Sequence, residues 1–199
     1  FLDGIFSAAR GKISVKTRLG LRDPEEIFPL LERFARYPIS LLILHPRVRA
    51  DFYKGPIRME WFRYAADRYE GALCFNGGLV APKDCAQFQG EYPAISRVMM
   101  GRGLLADPAL TRKMKGGPPA GREELRDFHD QLYRRYLELF SGMRNTVFHM
   151  KELWSYLYRL FEGGGKLFKQ IKKAQDGAAY ESAVEQIFRT LPLREDADW

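Results

Sequence analysis

The chain has 199 residues, of which 46% are hydrophobic and 29% charged, enough to bury one good core with a smaller satellite. No apolar run approaches the roughly 18 to 20 residues of a membrane span, and Phe1-Leu2-Asp3-Gly4 has neither a basic leader nor a cleavage pattern, so a soluble, cytoplasmic protein with no membrane partner is expected. The net charge of +7 lies in the first part, where residues 1–120 hold 19 Lys/Arg against 12 Asp/Glu and residues 121–199 hold 13 of each; such a surface suits a polyanion but is also common among small-molecule enzymes.

Residues 12–18 alternate with period two and predict a strand with Ser14, Lys16 and Arg18 on one face. At the mouth of a parallel barrel that face would aim a lysine and an arginine at the active site, whereas an edge strand would simply solvate them. Asp23-Pro24-Glu25-Glu26 then opens a helix through an N-cap and a first-turn proline. Leu41 to His45 is an apolar strand closed by His45, followed by Pro46-Arg47-Val48-Arg49 and Phe52-Tyr53-Lys54-Gly55. A histidine here is either a ligand contact or a satisfied structural residue, and the arginines either meet a ligand or decorate a loop. Met59 to Tyr69 is helix-like, and Ala72 to Phe75 forms a strand that exits into Asn76-Gly77-Gly78. Pro82 to Phe88 is a helix, and Ile95 to Met100 a strand that exits into Gly101-Arg102-Gly103.

From Lys16 to His45, Asn76 and Gly101 the steps are 29, 31 and 25 residues, the βα rhythm of a parallel sheet. Two glycine turns at successive strand ends let main-chain N–H groups approach an anion, and Arg102 adds a charged fork, the kind of phosphate grip found after the last strands of a (β/α)8 barrel. Cys74 fits a core-filling thiol and Cys85 a helix position; neither has metal-type spacing, and both are expected free in a reducing compartment. A metal is not expected, because His129 and His149 stand apart in the helical segment.

After Gly116-Gly117-Pro118-Pro119 the pattern changes to helices over roughly 122–140, 144–161, 166–175 and 178–189, with a loose acidic end at Glu195 to Trp199. Lys166, Lys169, Lys172 and Lys173 line one face of the third, opposite Leu167, Phe168 and Ile171. That face is either a phosphate platform or a solvated surface. Trp154, Tyr156, Tyr158 and Phe161 read as bundle core and rim.

Taken together, Val15-Lys16-Thr17-Arg18-Leu19-Gly20, His45-Pro46-Arg47 through Tyr53-Lys54-Gly55, Asn76-Gly77-Gly78 and Met99-Met100-Gly101-Arg102-Gly103 resemble the tRNA-dihydrouridine synthases in order and spacing. Asp107-Pro108-Ala109-Leu110 and Lys151-Glu152-Leu153-Trp154 are similar to later segments of that family. The resemblance implies an α/β fold of the parallel (β/α) TIM-barrel type. Residues 1–118 would be the second half of the barrel, and residues 119–199 an all-α bundle that binds tRNA. It implies FMN as cofactor, NADPH as reductant, and reduction of the C5=C6 bond of tRNA uridines. Lys16 and His45 would contact the flavin ring and Asn76, Gly77, Gly78, Gly101 and Arg102 its phosphate. Arg18, Arg47 and Arg49, with Lys166, Lys169, Lys172 and Lys173, would meet RNA. The sequence departs from the family at Gly78, where an acidic residue is common.

The barrel half that carries the family's catalytic cysteine is expected upstream, so this chain alone should be inactive, with a missing half or a second copy covering the open sheet. A non-catalytic RNA-binding protein on the same scaffold, and another FMN-dependent barrel reductase of a small molecule, are the alternatives.

Overall fold

The computed structural model describes residues 1–52, 54–140 and 142–199; Tyr53, part of one motif above, lies outside them. The chain divides into two compact units, the first of residues 1–78 and 87–100, the second of residues 79–86 and 101–199.

The first unit holds a four-stranded parallel sheet in sequence order: β1 (Ser14–Arg18), β2 (Leu41–His45), β3 (Leu73–Asn76) and β4 (Val98–Met99). A short helix, α1 (Leu2–Ala8), precedes it. Between β1 and β2, Asp23 accepts the Glu25 N–H, and the Glu26 carboxylate accepts those of Leu21, Arg22 and Asp23. This reciprocal cap starts a 3-10 turn that runs into α2 (Ile27–Phe34). Helix α3 (Met59–Arg68) links β2 to β3, and α4 (Pro82–Glu91) links β3 to β4. Phe62 of α3 meets Phe75 of β3 and Phe88 of α4 edge-on at 5.0 and 5.7 Å, and Phe75 stacks on Phe88 at 4.3 Å. Leu42, Leu44 and Phe62 are fully buried, so one face of the sheet is sealed by aromatic packing. The fourth strand is shorter than the expected residues 95–100 and pairs only through Phe75↔Val98 and Asn76↔Met99.

Among its described residues the second unit is helical apart from one bridge. It contains α5 (Arg102–Ala106), α6 (Leu110–Met114), α7 (Arg122–Leu139), α8 (Met143–Leu157), α9 (Gly164–Lys173) and α10 (Gly177–Thr190). Its core is built on Trp154, Met150, Leu157, Ile171, Tyr180 and Ile187, each fully buried. Asp176 caps α10 by accepting the Ala179 N–H, and Lys151 Nζ caps the carboxyl end of α9 at Ala174 O.

The expected loose acidic end is instead tied down. Leu193 bridges Phe161, Asp198 exchanges main-chain and side-chain hydrogen bonds with Arg159, and Lys113 holds Asp107, Asp196 and the Glu195 carbonyl. The acidic residues find buried or half-buried cations here, so charge density did not translate into disorder. No helix among the described residues is long and apolar enough to cross a membrane.

Candidate functional site

Because side chains alternate along a strand, the face opposite the aromatic layer carries a second set of residues in register. Arg18 lies beside His45, the same register carried one step further sets His45 beside Asn76, and Asn76 pairs with Met99. One layer down, Lys16 lies beside Ile43 and Ile43 beside Cys74. Four of the predicted residues therefore share one sheet face within two layers at its carboxyl end. His45 is buried and Asn76 half-buried, while Lys16, on edge strand β1, remains exposed. Desolvation lowers the Lys16 pKa and the neighbouring Arg18 charge lowers it further, with Cys74 acting in the opposite direction. Two cations close together on one face form a site that an anion relieves. Cys74 and Cys85 are both buried free thiols whose pKa burial raises, the reverse of an activated nucleophile.

The loop after β2 is stapled by arginines, two of them, Arg18 and Arg47, among the residues that the resemblance assigns to RNA. Arg47 is buried, with Nε on Gly55 O at 2.7 Å and Nη1 3.4 Å from His45 Nε2. A guanidinium only donates, so this contact is a hydrogen bond in the tautomer that leaves His45 Nε2 without a proton. Arg18 Nη1 donates to Val48 O and Phe52 O, both at 2.9 Å. Arg49 alone of the three is exposed, while its main chain bonds to Gly20 O. Asp51 accepts the Val48 N–H and pairs with Arg58, whose guanidinium holds the carboxyl below its usual range. This Asp51–Arg58 brace was not anticipated from sequence, where a carboxylate amid three arginines and a lysine between a strand and a helix was the available signal. Within the loop Phe52 has φ 51° and ψ −111° and is 73% exposed, a conformation that costs an aromatic residue roughly 1–3 kcal/mol.

Of the two glycine turns, the first belongs to the sheet unit. Asn76 Nδ2 donates to Met99 O at 2.7 Å and so ties β3 to the end of β4. A Cβ on Gly77 would lie 3.3 Å from Ile57 and 3.4 Å from the His45 ring. Gly78 has φ +63°, and its Cβ would meet Ile57 Cδ1 at 2.5 Å. Glycine suits this position locally: the backbone is left-handed and the end of the Ile57 side chain occupies the space a Cβ would take. Gly78→Ala is expected to destabilise the unit by about 1–2 kcal/mol, checked by urea denaturation.

The second turn belongs to the helical unit. Gly101 precedes α5, with no heavy atom within 4 Å of its Cβ position, whereas a Cβ on Gly103 would strike Leu79 O at 2.6 Å. One glycine leaves the backbone open and the other lets α5 pack. Arg102 lies over the Trp199 ring at 5.4 Å. Asp107 is buried, where it accepts the Ala109 N–H at the start of α6 and pairs with Lys113.

On α9, Lys166, Lys169, Lys172 and Lys173 are all exposed while Leu167 and Ile171 are buried, so the helix has the expected amphipathic division. Trp154 and Phe161 are core residues, and Tyr158 stacks on Phe168 at 4.6 Å. Unanticipated from sequence was a buried polar chain. His129 sits 2.7 Å from both Asp130 and the Tyr180 hydroxyl, and Trp154 Nε1 donates to that hydroxyl at 3.0 Å. A groove of about 840 Å³ beside it is lined by Arg126, Asp130, Tyr133, Arg134, Glu181 and Glu185 of α7 and α10. Among the described residues no group of three or more His, Cys, Asp or Glu is arranged to hold a metal ion.

Comparison with known proteins bears on the same residues. The family model for dihydrouridine synthase (Dus) matches residues 4–191. Similar proteins include a tRNA-dihydrouridine(16) synthase of Cupriavidus necator, 26% identical over 87% of this chain and 55% of that protein. Another, of the same description, comes from Aquipseudomonas alcaligenes, 25% identical over 82% of this chain and 53% of that protein. A probable tRNA-dihydrouridine synthase of Rhizobium leguminosarum is 28% identical over 74% of this chain and 46% of that protein. The chain spans about half the length of these curated relatives. With a parallel βα sheet followed by a helical region, and the family model matching nearly from end to end, the chain belongs to the dihydrouridine synthase family.

Proposed function

We propose that this chain forms the cofactor- and tRNA-holding part of an FMN-dependent tRNA-dihydrouridine synthase. Residues 1–118 would be the second half of its barrel and residues 119–199 its tRNA-binding bundle. The observation that carries this is the shared sheet face of Lys16, Arg18, His45 and Asn76. The donor set fits a flavin mononucleotide. It offers a partly desolvated cation at Lys16 with Arg18 beside it, a buried imidazole at His45, and a backbone turn at Gly77 and Gly78 where side chains are sterically disfavoured. When bound and reduced by NADPH, FMN supplies the hydride for the uracil C5=C6 bond.

Lys16 would stabilise negative charge on the reduced ring, and Arg47, with its guanidinium 3.4 Å from His45 Nε2, would orient the imidazole. Asn76, Gly77 and Gly78, with Gly101 and Arg102, are the residues that the family resemblance assigns to the phosphate. Neither thiol of this chain is suited to protonate uracil C5, so that proton is assigned to a group outside these residues. Residues 1–199 by themselves should leave tRNA uridine unreduced with FMN and NADPH; dihydrouridine formed by them would overturn that assignment.

Two titrations test the rest. FMN binding, followed by flavin fluorescence, should weaken about tenfold or more in Lys16→Met, since a cation held against an anion contributes roughly 1.5–3 kcal/mol. Binding of unmodified tRNA should fall steeply with salt, and Lys169→Glu with Lys172→Glu should weaken it and flatten the log–log slope by about one to two. A protein that binds tRNA but not FMN would favour the non-catalytic RNA-binding alternative. One that binds FMN but not tRNA would favour a small-molecule reductase.

A further inference from the structure

Phe52 is the one non-glycine residue with positive φ among the described residues, and it is 73% exposed. An aromatic side chain in a conformation suited to glycine gains nothing from burial there, so packing does not explain its choice. The loop nonetheless holds it firmly. Arg18 Nη1 bonds to Phe52 O and Val48 O, Arg47 Nε to Gly55 O, the Asp51 carboxylate to the Val48 N–H, and the main chain of Arg49 and Ala50 to Gly20 O and Leu21 O. These bonds over-determine the loop, as expected where local strain serves a purpose.

The surroundings indicate which partner. The loop leaves β2 at the carboxyl end of the sheet, directly after the layer of Arg18, His45 and Asn76. Arg49 and Lys54 flank Phe52 in the loop, Arg22 follows the Leu21 to which the loop is bonded, and all three cations are exposed. An exposed ring among exposed cations matches single-stranded RNA, in which an unstacked base lies on an aromatic face while basic groups meet the flanking phosphates. Chemistry on a base inside folded RNA requires neighbouring bases to be unstacked, and an aromatic surface offsets part of that cost.

Resting on the function proposed above, we propose that Phe52 is a positioning residue that stacks on an unpaired nucleobase of the tRNA next to the reacting site. Its strained backbone keeps the ring presented before RNA arrives, which lowers the ordering cost of binding.

The substitution Phe52→Gly separates this role from a structural one. It suits the backbone, so it should leave the thermal midpoint unchanged or raise it by roughly 2–4 °C. If Phe52 stacks on a base, the same variant binds unmodified tRNA about tenfold more weakly, with the salt slope of the wild type. Arg49→Ala should instead flatten that slope by about one. Phe52→Trp should retain affinity and show quenching of indole emission on tRNA addition beyond that of the wild-type chain. Wild-type tRNA affinity in Phe52→Gly, or no added quenching in Phe52→Trp, would overturn the inference while leaving the proposed function standing. Absence of tRNA binding by the wild-type chain would overturn both.

Discussion

Replacing Tyr180 by phenylalanine is expected to destabilise the helical unit by about 2–4 kcal/mol, which corresponds to a fall of roughly 5–15 °C in its thermal midpoint. The hydroxyl accepts from Trp154 Nε1–H and donates to His129 Nε2, while His129 Nδ1–H donates to Asp130. Every group in the chain is satisfied, and Trp154, Tyr180 and His129 are almost wholly buried. Phenylalanine keeps the ring packing and strips one partner from each of two buried groups, leaving an indole donor and an imidazole acceptor that water does not reach. A loss below about 1 kcal/mol, measured by far-UV circular dichroism at pH 7, would show that the network contributes specificity of packing and little stability.

The same chain sets a pH dependence. Burial holds the His129 pKa below its ordinary 6.5, with Asp130 pulling partly the other way and Arg126 adding to the depression. As pH falls below about 6.5 the unfolded chain takes up a proton that the folded unit resists, so stability drops by up to about 1.4 kcal/mol per pH unit. Tyr180 and Tyr133 are pushed upward from 10, Tyr180 by burial foremost and Tyr133 by burial together with its hydrogen bond to Glu181. Their contribution is present below pH 10 and is lost as pH rises beyond it. Denaturation midpoints should therefore form a plateau between these limits, and His129→Phe should remove the acid-side slope due to this residue.

Alanine at Gly103 should cost about 2 kcal/mol or more, within the usual range for overpacking, whereas alanine at Gly101 should change stability by less than about 0.5 kcal/mol. The two positions are only two residues apart, but a Cβ on Gly103 meets the Leu79 carbonyl at 2.6 Å and Leu110 at 3.0 Å. The carbonyl is backbone and does not rotate away, so α5 has to shift. Gly101 has open space instead. If its main chain meets the FMN phosphate, Gly101→Ala should bind FMN several-fold more weakly at unchanged stability, because an added methyl obstructs close approach. Thermal melts and flavin titrations on the two variants give opposite patterns; equal thermal effects would show that the turn is packed uniformly and that neither glycine is kept for a ligand.

Much of the sheet unit is legible in order. The apolar run Leu41 to His45 is β2 residue for residue, and the Asp23 to Glu26 capping pattern forms as expected. The period-two alternation of Ser14 to Arg18 sets Lys16 and Arg18 on the sheet face that also carries His45 and Asn76. The long helices appear within a few residues of their expected ends, since the 3.6-residue apolar stripe that marks them is the stripe buried around Trp154 and Tyr180. Three short helices, α1, α5 and α6, went unforeseen, because five to seven residues are too few to establish a period.

What the sequence determined by itself is which residues share a face and in what order the strands come, because side-chain periodicity and capping act over a few residues. Only the tertiary structure decided what the charged residues hold. Arg18 braces a carbonyl 34 residues away and Lys113 an aspartate 83 residues away. In a chain with 32 basic and 25 acidic residues, pattern offers each cation many equivalent partners, and only the folded backbone brings one of them within hydrogen-bond distance.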